Sequence, residues 1–513
     1  MRIFSKFWLG LGCCILTTLW IFCCLPANLH AQDIEYGPAI RKSWYDSFIR
    51  LLKGGDGNYY LLRTGGGSIW NFSPEGERGF FIHRFDKNLQ PLDEVRVGPG
   101  NPKNLIQNAY EVVPTRDGIA FLSVRRPEST GPHMLNVCRP RYDKEDPYFD
   151  CTELFPMHDL LPGISKPHFR VVQSPDSSIF AVTWQKLSKD NLNDNSSGCV
   201  LLDRDLNVVE APFLPLKQAL QEVRIHRLGI IDKENLFFHL RAFNVTGVFQ
   251  NPQALGFGLL HYDVEERDLR WLKLGNGAYD PMEVRVIRAW NGRLLAAGWY
   301  LGRASVNNEA GIFFGEITDA DSLERLQLYP FDENMRKTMI FDRKRKEDIG
   351  FRRTLHNSFF EMGNGTFVFV LHFRGKFEGE ELDLSGEVYD NVLVAYHFDR
   401  NGKVRLRHVR GFGNVARDDY KDAFSWRRLT VGGKSWALFT DFGDGKRAGR
   451  PDNAKAFLWP LGLGEPAGLT PLEGPELQKG YVIAPRLVLR DEVGAYVALV
   501  KSIKGFRLAR IRF

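Results

Sequence analysis

The chain has 513 residues, 43% hydrophobic and 25% charged, which excludes a disordered polypeptide or one small domain and suits a single large ring of repeats. Its formal charge of +6, or +4 without the two basic residues of the first 31, is too mild for a dedicated nucleic-acid binder. Aromatic residues make up 13%, with 38 Phe, which favours pleated, half-buried strands.

Residues 1–31 read as an export signal. Arg2 and Lys6 give a positive start, Phe7 to Leu25 is uncharged and apolar, Pro26 breaks the run, and Ala31 offers a small residue before Gln32. The apolar run spans 19 residues, long for a signal peptide, so an uncleaved membrane anchor is the rival reading and the only predicted membrane contact. Bulky Phe22 before Cys23 argues against a lipid anchor. The remainder, residues 32–513, is expected to be one exported domain, periplasmic, cell-surface or extracellular, and monomeric.

Asp33 to Ile40 forms a short strand-like segment with no unit of its own. After it, a tight-turn cluster followed by an apolar run recurs eight times, from Gly55-Asp56-Gly57 and Arg116-Asp117-Gly118 to Gly432-Gly433 and Asp491-Glu492-Val493-Gly494, roughly 60–70 residues apart. A second signal is an apolar strand ending in Asp, as in Phe85-Asp86, Tyr142-Asp143, Leu202-Asp203, Tyr262-Asp263 and Phe398-Asp399; this Asp can bond amides two residues on and start a turn. Together they give four strands per unit, the pattern of propeller blades. The last unit lacks its fourth strand, and residues 33–40 are predicted to supply it. The predicted fold is therefore all-β, a single propeller of eight four-stranded blades closed by the N-terminal strand, or of seven if one unit is miscounted.

Three cysteines lie outside the first 31 residues. Cys138 and Cys151 flank a predicted hairpin turn and are expected to form a disulfide; the rival is two buried thiols. Cys199 reads as a core residue. No Cys/His spacing suggests zinc, and no cofactor is expected.

Antiparallel strands put the two kinds of tight turn on one face and the long loops on the other, where function is expected. Nine residues before the first apolar residue of the second strand stand Arg50, Arg170, Arg227, Arg285 and Arg427, with Arg486 one residue off and Tyr110 and Ser358 in the remaining units. On innermost strands these arginines are expected to ring the channel mouth and hold carboxylate, sulfate or phosphate through paired hydrogen bonds; the blander reading packs each between blades against a local acid. His168 and His356 fall on the same strands, and Trp70 sits on a long loop as a stacking candidate. The acidic run Glu378–Asp390 lacks calcium-loop spacing and reads as a solvated loop.

Trp44 to Arg63, Phe80 to Val97 and the ending Lys504 to Phe513, with the Ala31-Gln32 junction, resemble uncharacterised exported β-propeller proteins of Bacteroidota. The resemblance implies fold and compartment and no activity. Leu393 to Val409 is similar to a repeat of eight-bladed quinone-dependent dehydrogenases, but their repeated Trp motif and Cys pair are missing, so no cofactor is carried over. The leading expectation is a binding or scaffold propeller for an anionic glycan or a protein partner. Two others remain: a polysaccharide lyase or hydrolase, with His168, His356, Asp441 and Asp444 as candidates, and a structural envelope protein.

Overall fold

A computed structural model describes residues 33–41, 46–65, 80–97, 109–125, 133–142, 148–157, 168–174, 177–186, 196–212, 221–230, 235–244, 253–273, 279–302, 310–318, 323–331, 357–377, 387–416, 426–441, 454–462, 468–502 and 505–513. Residues 1–32 and most of the long loops lie outside them.

The protein is an eight-bladed β-propeller. Seven blades take their four strands consecutively, from blade 1 (Asp46–Lys53, Tyr59–Gly65, Phe80–Phe85, Pro91–Val97) to blade 7 (Trp426–Val431, Lys434–Asp441, Lys455–Pro460, Thr470–Pro471). Blade 8 combines Val482–Glu492, Ala495–Lys501 and Gly505–Arg512 with the N-terminal strand Asp33–Tyr36, which pairs antiparallel along the last of these, Asp33 opposite Arg512 and Tyr36 opposite Ala509. Ring closure by the amino-terminal segment is thus as the missing fourth strand of the last unit predicts.

What holds the ring is a hydrophobic core between each pair of neighbouring blades. Successive strand residues point to opposite faces, so one strand feeds two cores. Phe238 packs with Ile179 and Leu201 of blade 3, whereas Phe237 beside it packs with Val284 and Ala296 of blade 5. The buried clusters fall at all eight blade junctions, including blade 8 with blade 1, where Phe48, Leu61 and Phe85 meet Leu499, Phe506 and Leu508.

The Asp turns form as their side chains dictate. Asp86 Oδ1 accepts from the Asn88 and Gln90 amides at 2.8 Å each, Asp203 from Asp205 and Asn207 at 2.8 Å, and Asp399 from Asn401 and Lys403 at 2.9 and 3.0 Å. Three residues after the Asp the chain needs a positive φ. Gly402 supplies it at 83°, and a Cβ there would come within 2.5 Å of the Phe314 ring. Leu89 and Leu206 adopt it too, at 62° and 68°, with their side chains wholly buried. A left-handed Leu costs about 1–2 kcal/mol, which burying the side chain offsets by about 1.5–3 kcal/mol.

In blade 2, Cys138 stands opposite Cys151 across the third and fourth strands, and the two are joined, with sulfurs 2.05 Å apart. The bridge closes a short loop, with 13 positions of sequence separation, and ties the outer strand Tyr148–Met157 to the blade. Reduction is expected to cost about 2–3 kcal/mol of local stability. Faster hydrogen exchange along Tyr148–Met157 would report it; unchanged exchange would contradict it. Cys199 is a buried thiol in the core between blades 3 and 4.

Candidate functional site in the central channel

The first strands of neighbouring blades approach one another, blade 8 to 1, 1 to 2, 2 to 3, 3 to 4, 5 to 6 and 7 to 8, which sets them around the ring centre. Their register places the predicted arginines at nearly one level. Arg50 stands opposite Leu62, Arg227 opposite His239 and Arg285 opposite Ala297, each facing the equivalent residue of its second strand. Arg170 and Arg427 pair with Thr183 and Leu438, within one residue of that level. Arg486 lies where the register of blade 8 shifts.

The depth of this level differs between blades. Arg50, Arg170 and Arg285 each stand three residues before the end of their strand at the tight-turn side, about 10 Å at the rise of a strand. The strand of blade 5 runs on toward the long loops, beginning at Tyr279, six residues before Arg285, whereas Arg170 and Arg427 stand third and second from the long-loop ends of theirs.

Blade 2 departs from the expected residue. The tight turn of blade 2 is one residue shorter than that of blade 1, Pro114 pairing with Ile119 where Lys53 pairs with Tyr59, so Glu111, not Tyr110, stands opposite Leu122, preceded by a bulge between Ala109 and Glu111. The same irregularity precedes Arg50 and Arg227, between Phe48 and Arg50 and between Ile225 and Arg227. Glu111 is paired through Oε1 with Arg50 Nη1 and accepts the Val112 amide at 3.1 Å. Burial raises its carboxyl above the ordinary value, and Arg50, the Val112 amide and Arg486 of blade 8 oppose that rise. Arg427 of blade 7 feels Arg50 as a like charge. Four consecutive blades, 7, 8, 1 and 2, thus bring three guanidinium groups and one carboxylate into a common field.

The other inner-strand cations are partly dehydrated. Burial lowers the Arg170 guanidinium below its usual value and that of Arg285 to about 10, and Arg427 is lowered by burial, with Tyr496 opposing the shift and Arg50 adding to it. Among the described residues no carboxylate is paired with any of these three, and Arg285 Nε is buried without a hydrogen-bond partner. Arg170 and Arg427 are nonetheless exposed to solvent. A side chain closely surrounded by protein yet open to water is what a channel lining produces. Arg428 shows the contrasting fate: it stacks 3.5 Å from the Phe360 ring centroid, packed between blades 6 and 7. Arg428 is packed between blades, Arg50 is paired with an acid of the neighbouring blade as the blander reading expects, and Arg427 and Arg486 lie in the same field.

Another feature has no sequence signal. Glu283, two residues before Arg285, is 2% exposed and accepts a hydrogen bond from Asn357 Nδ2 of the blade 6 entry. Trp70 and His356 lie outside the described residues, as do the side chains of His168 and Arg227. Asp444 and most of the acidic loop after Phe377 also lie outside them. Among the described residues no group of three or more His, Cys, Asp or Glu is placed to hold a metal ion.

The fold and these residues define a propeller with arginines on the innermost strands of several blades. The chain matches no protein-family profile and no curated protein. It is similar to solved structures at low identity. A Synechocystis apocarotenoid oxygenase aligns at 9% identity and a TM-score of 0.37, over 91% of this chain and 93% of that one. A Fusarium graminearum α-L-arabinofuranosidase aligns at 8% and 0.35, over 67% and 92%. A Galerina marginata prolyl oligopeptidase B aligns at 9% and 0.37, over 89% and 55%. The functional reading rests on this chain's own residues.

Proposed function

We propose that the protein is an exported binding propeller whose central channel takes an acidic oligosaccharide. The observation that carries this is the set Arg170, Arg285 and Arg427, held on innermost strands, partly dehydrated and unmatched by any described carboxylate. An anion entering the channel restores what burial removes, and guanidinium groups receive carboxylate or sulfate oxygens through paired hydrogen bonds. Export is supported by the charge and apolar pattern of residues 1–31 and by the resemblance to exported Bacteroidota propellers. A hydrolase would need two carboxylates facing one bond. The two inner-strand carboxylates described above are committed elsewhere, Glu111 to Arg50 and Glu283 to Asn357, and stand on blades 2 and 5. Binding is therefore the better reading.

Calorimetric titration with hexagalacturonate and with a heparin hexasaccharide tests it. Arg170→Ala and Arg427→Ala are each expected to weaken binding about tenfold, the loss of one charged hydrogen-bonding group. Undiminished affinity in both variants would remove the arginines from the account. Capture of an acidic protein segment with no response to either sugar would replace the glycan by a protein ligand.

A further inference from the structure

Among the described residues Glu111 is the one acid at the arginine level of the first strands, and it has no counterpart by symmetry. Blades 1, 4 and 5 carry Arg50, Arg227 and Arg285 at the same register, and blade 6 carries neutral Ser358. The tight turn of blade 2, one residue shorter than that of blade 1, brings Glu111 there. Once there it takes up Arg50 directly, and it also lies in the field of Arg486. The Arg50 side chain keeps 43% of its surface accessible, so the pair is formed in a space that solvent, and hence a ligand, can reach.

A carboxylate seated against channel arginines occupies the position that the carboxylate of an acidic sugar would take. Building on the proposed binding function, we infer that Glu111 is an internal competitor, an intramolecular carboxylate that holds Arg50 until a ligand oxyanion displaces it. It thereby sets a threshold: a single isolated anion does not repay the loss of the Arg50–Glu111 pair, whereas a chain that also reaches Arg427 and Arg486 does. Glu111 selects for polyanions over monovalent anions by this exchange, because the incoming ligand must replace an existing charge pair and tolerate the displaced carboxylate nearby.

Titrating the full chain and its Glu111→Gln variant with hexagalacturonate and with monomeric galacturonate is the test. Glutamine keeps the shape and removes the charge, so hexagalacturonate is expected to bind about tenfold more tightly, and monomeric galacturonate to gain measurable affinity. Glu111→Asp, which keeps the charge but shortens the reach to Arg50, is expected to fall between and serves equally if the glutamine variant does not fold. Hexagalacturonate binding that depends on Arg170 and Arg427 but is unchanged or weaker in both Glu111 variants would overturn the competitor role and leave the binding function standing. Absence of binding in the wild type together with binding in Glu111→Gln would support it, and absence in both would overturn both readings.

Discussion

Replacing Asp491 with alanine is expected to destabilise the ring by about 3 kcal/mol, the lower end of the cost of removing one partner from a buried ion pair. Asp491 sits at the tight-turn end of the first strand of blade 8, with its side chain 6% exposed, and joins three donors from two blades. Lys53 Nζ reaches it at 2.6 Å and the Tyr59 hydroxyl at 2.5 Å from blade 1, and Arg510 Nε at 2.9 Å from blade 8. Alanine would leave Arg510, itself 9% exposed, with Glu35 at 3.0 Å as its remaining carboxylate, which is why the lower figure applies.

The same contact sets a pH dependence. Burial alone would raise the Asp491 carboxyl, but the bonds from Lys53, Tyr59 and Arg510 outweigh it and hold the group below its ordinary value. A depressed carboxylate stabilises fully above its unfolded value, near 4, and loses that contribution as pH falls through the folded value. Urea midpoints of the wild type should fall below about pH 4 more steeply than those of Asp491→Asn. Parallel acid limbs, or an unchanged neutral midpoint in Asp491→Ala, would remove the clasp from the account of stability.

Deleting residues 33–41 is expected to have a still larger effect, on the order of 5 kcal/mol, from lost apolar packing and stranded arginines together. The deletion removes the outer strand of blade 8 and the packing of Ile34 and Tyr36 against the core between blades 7 and 8. It also takes Glu35 from Arg510 and Arg512, at 3.0 Å each, and Asp33 from Arg512 at 3.2 Å. Gly505–Arg512 then becomes an open edge that invites pairing with another chain. Size-exclusion chromatography is expected to show aggregates, reversed by a synthetic peptide covering residues 33–41. A soluble monomer with an unaltered melting midpoint would contradict the closure mechanism.

The architecture was legible because its signals are local. The Asp86, Asp203 and Asp399 turns are set by a side chain bonding its own next few amides, and a unit short of one strand points to a free segment elsewhere. Features that depend on distant partners were not legible. Lys53 meets Asp491 across 438 positions, and nothing near either residue marks the other. The arginine register could be counted from the turns, but its depth could not, because the first strands extend unequally toward the long loops. Glu111 was hidden by the tight turn of blade 2, whose one missing residue shifts by one the position that counting selects. Leu89 and Leu206 occupy a backbone region that sequence patterns assign to glycine, and only their burial between blades explains them.

Diffraction from crystals soaked in tungstate, an oxyanion with a strong anomalous signal, would locate the preferred anion site directly. A peak inside the channel, within hydrogen-bonding distance of Arg427 or its neighbours Arg50 and Arg486, is the predicted result. Peaks confined to the outer surface, with the channel arginines turned away or neutralised by carboxylates of the long loops, would contradict it.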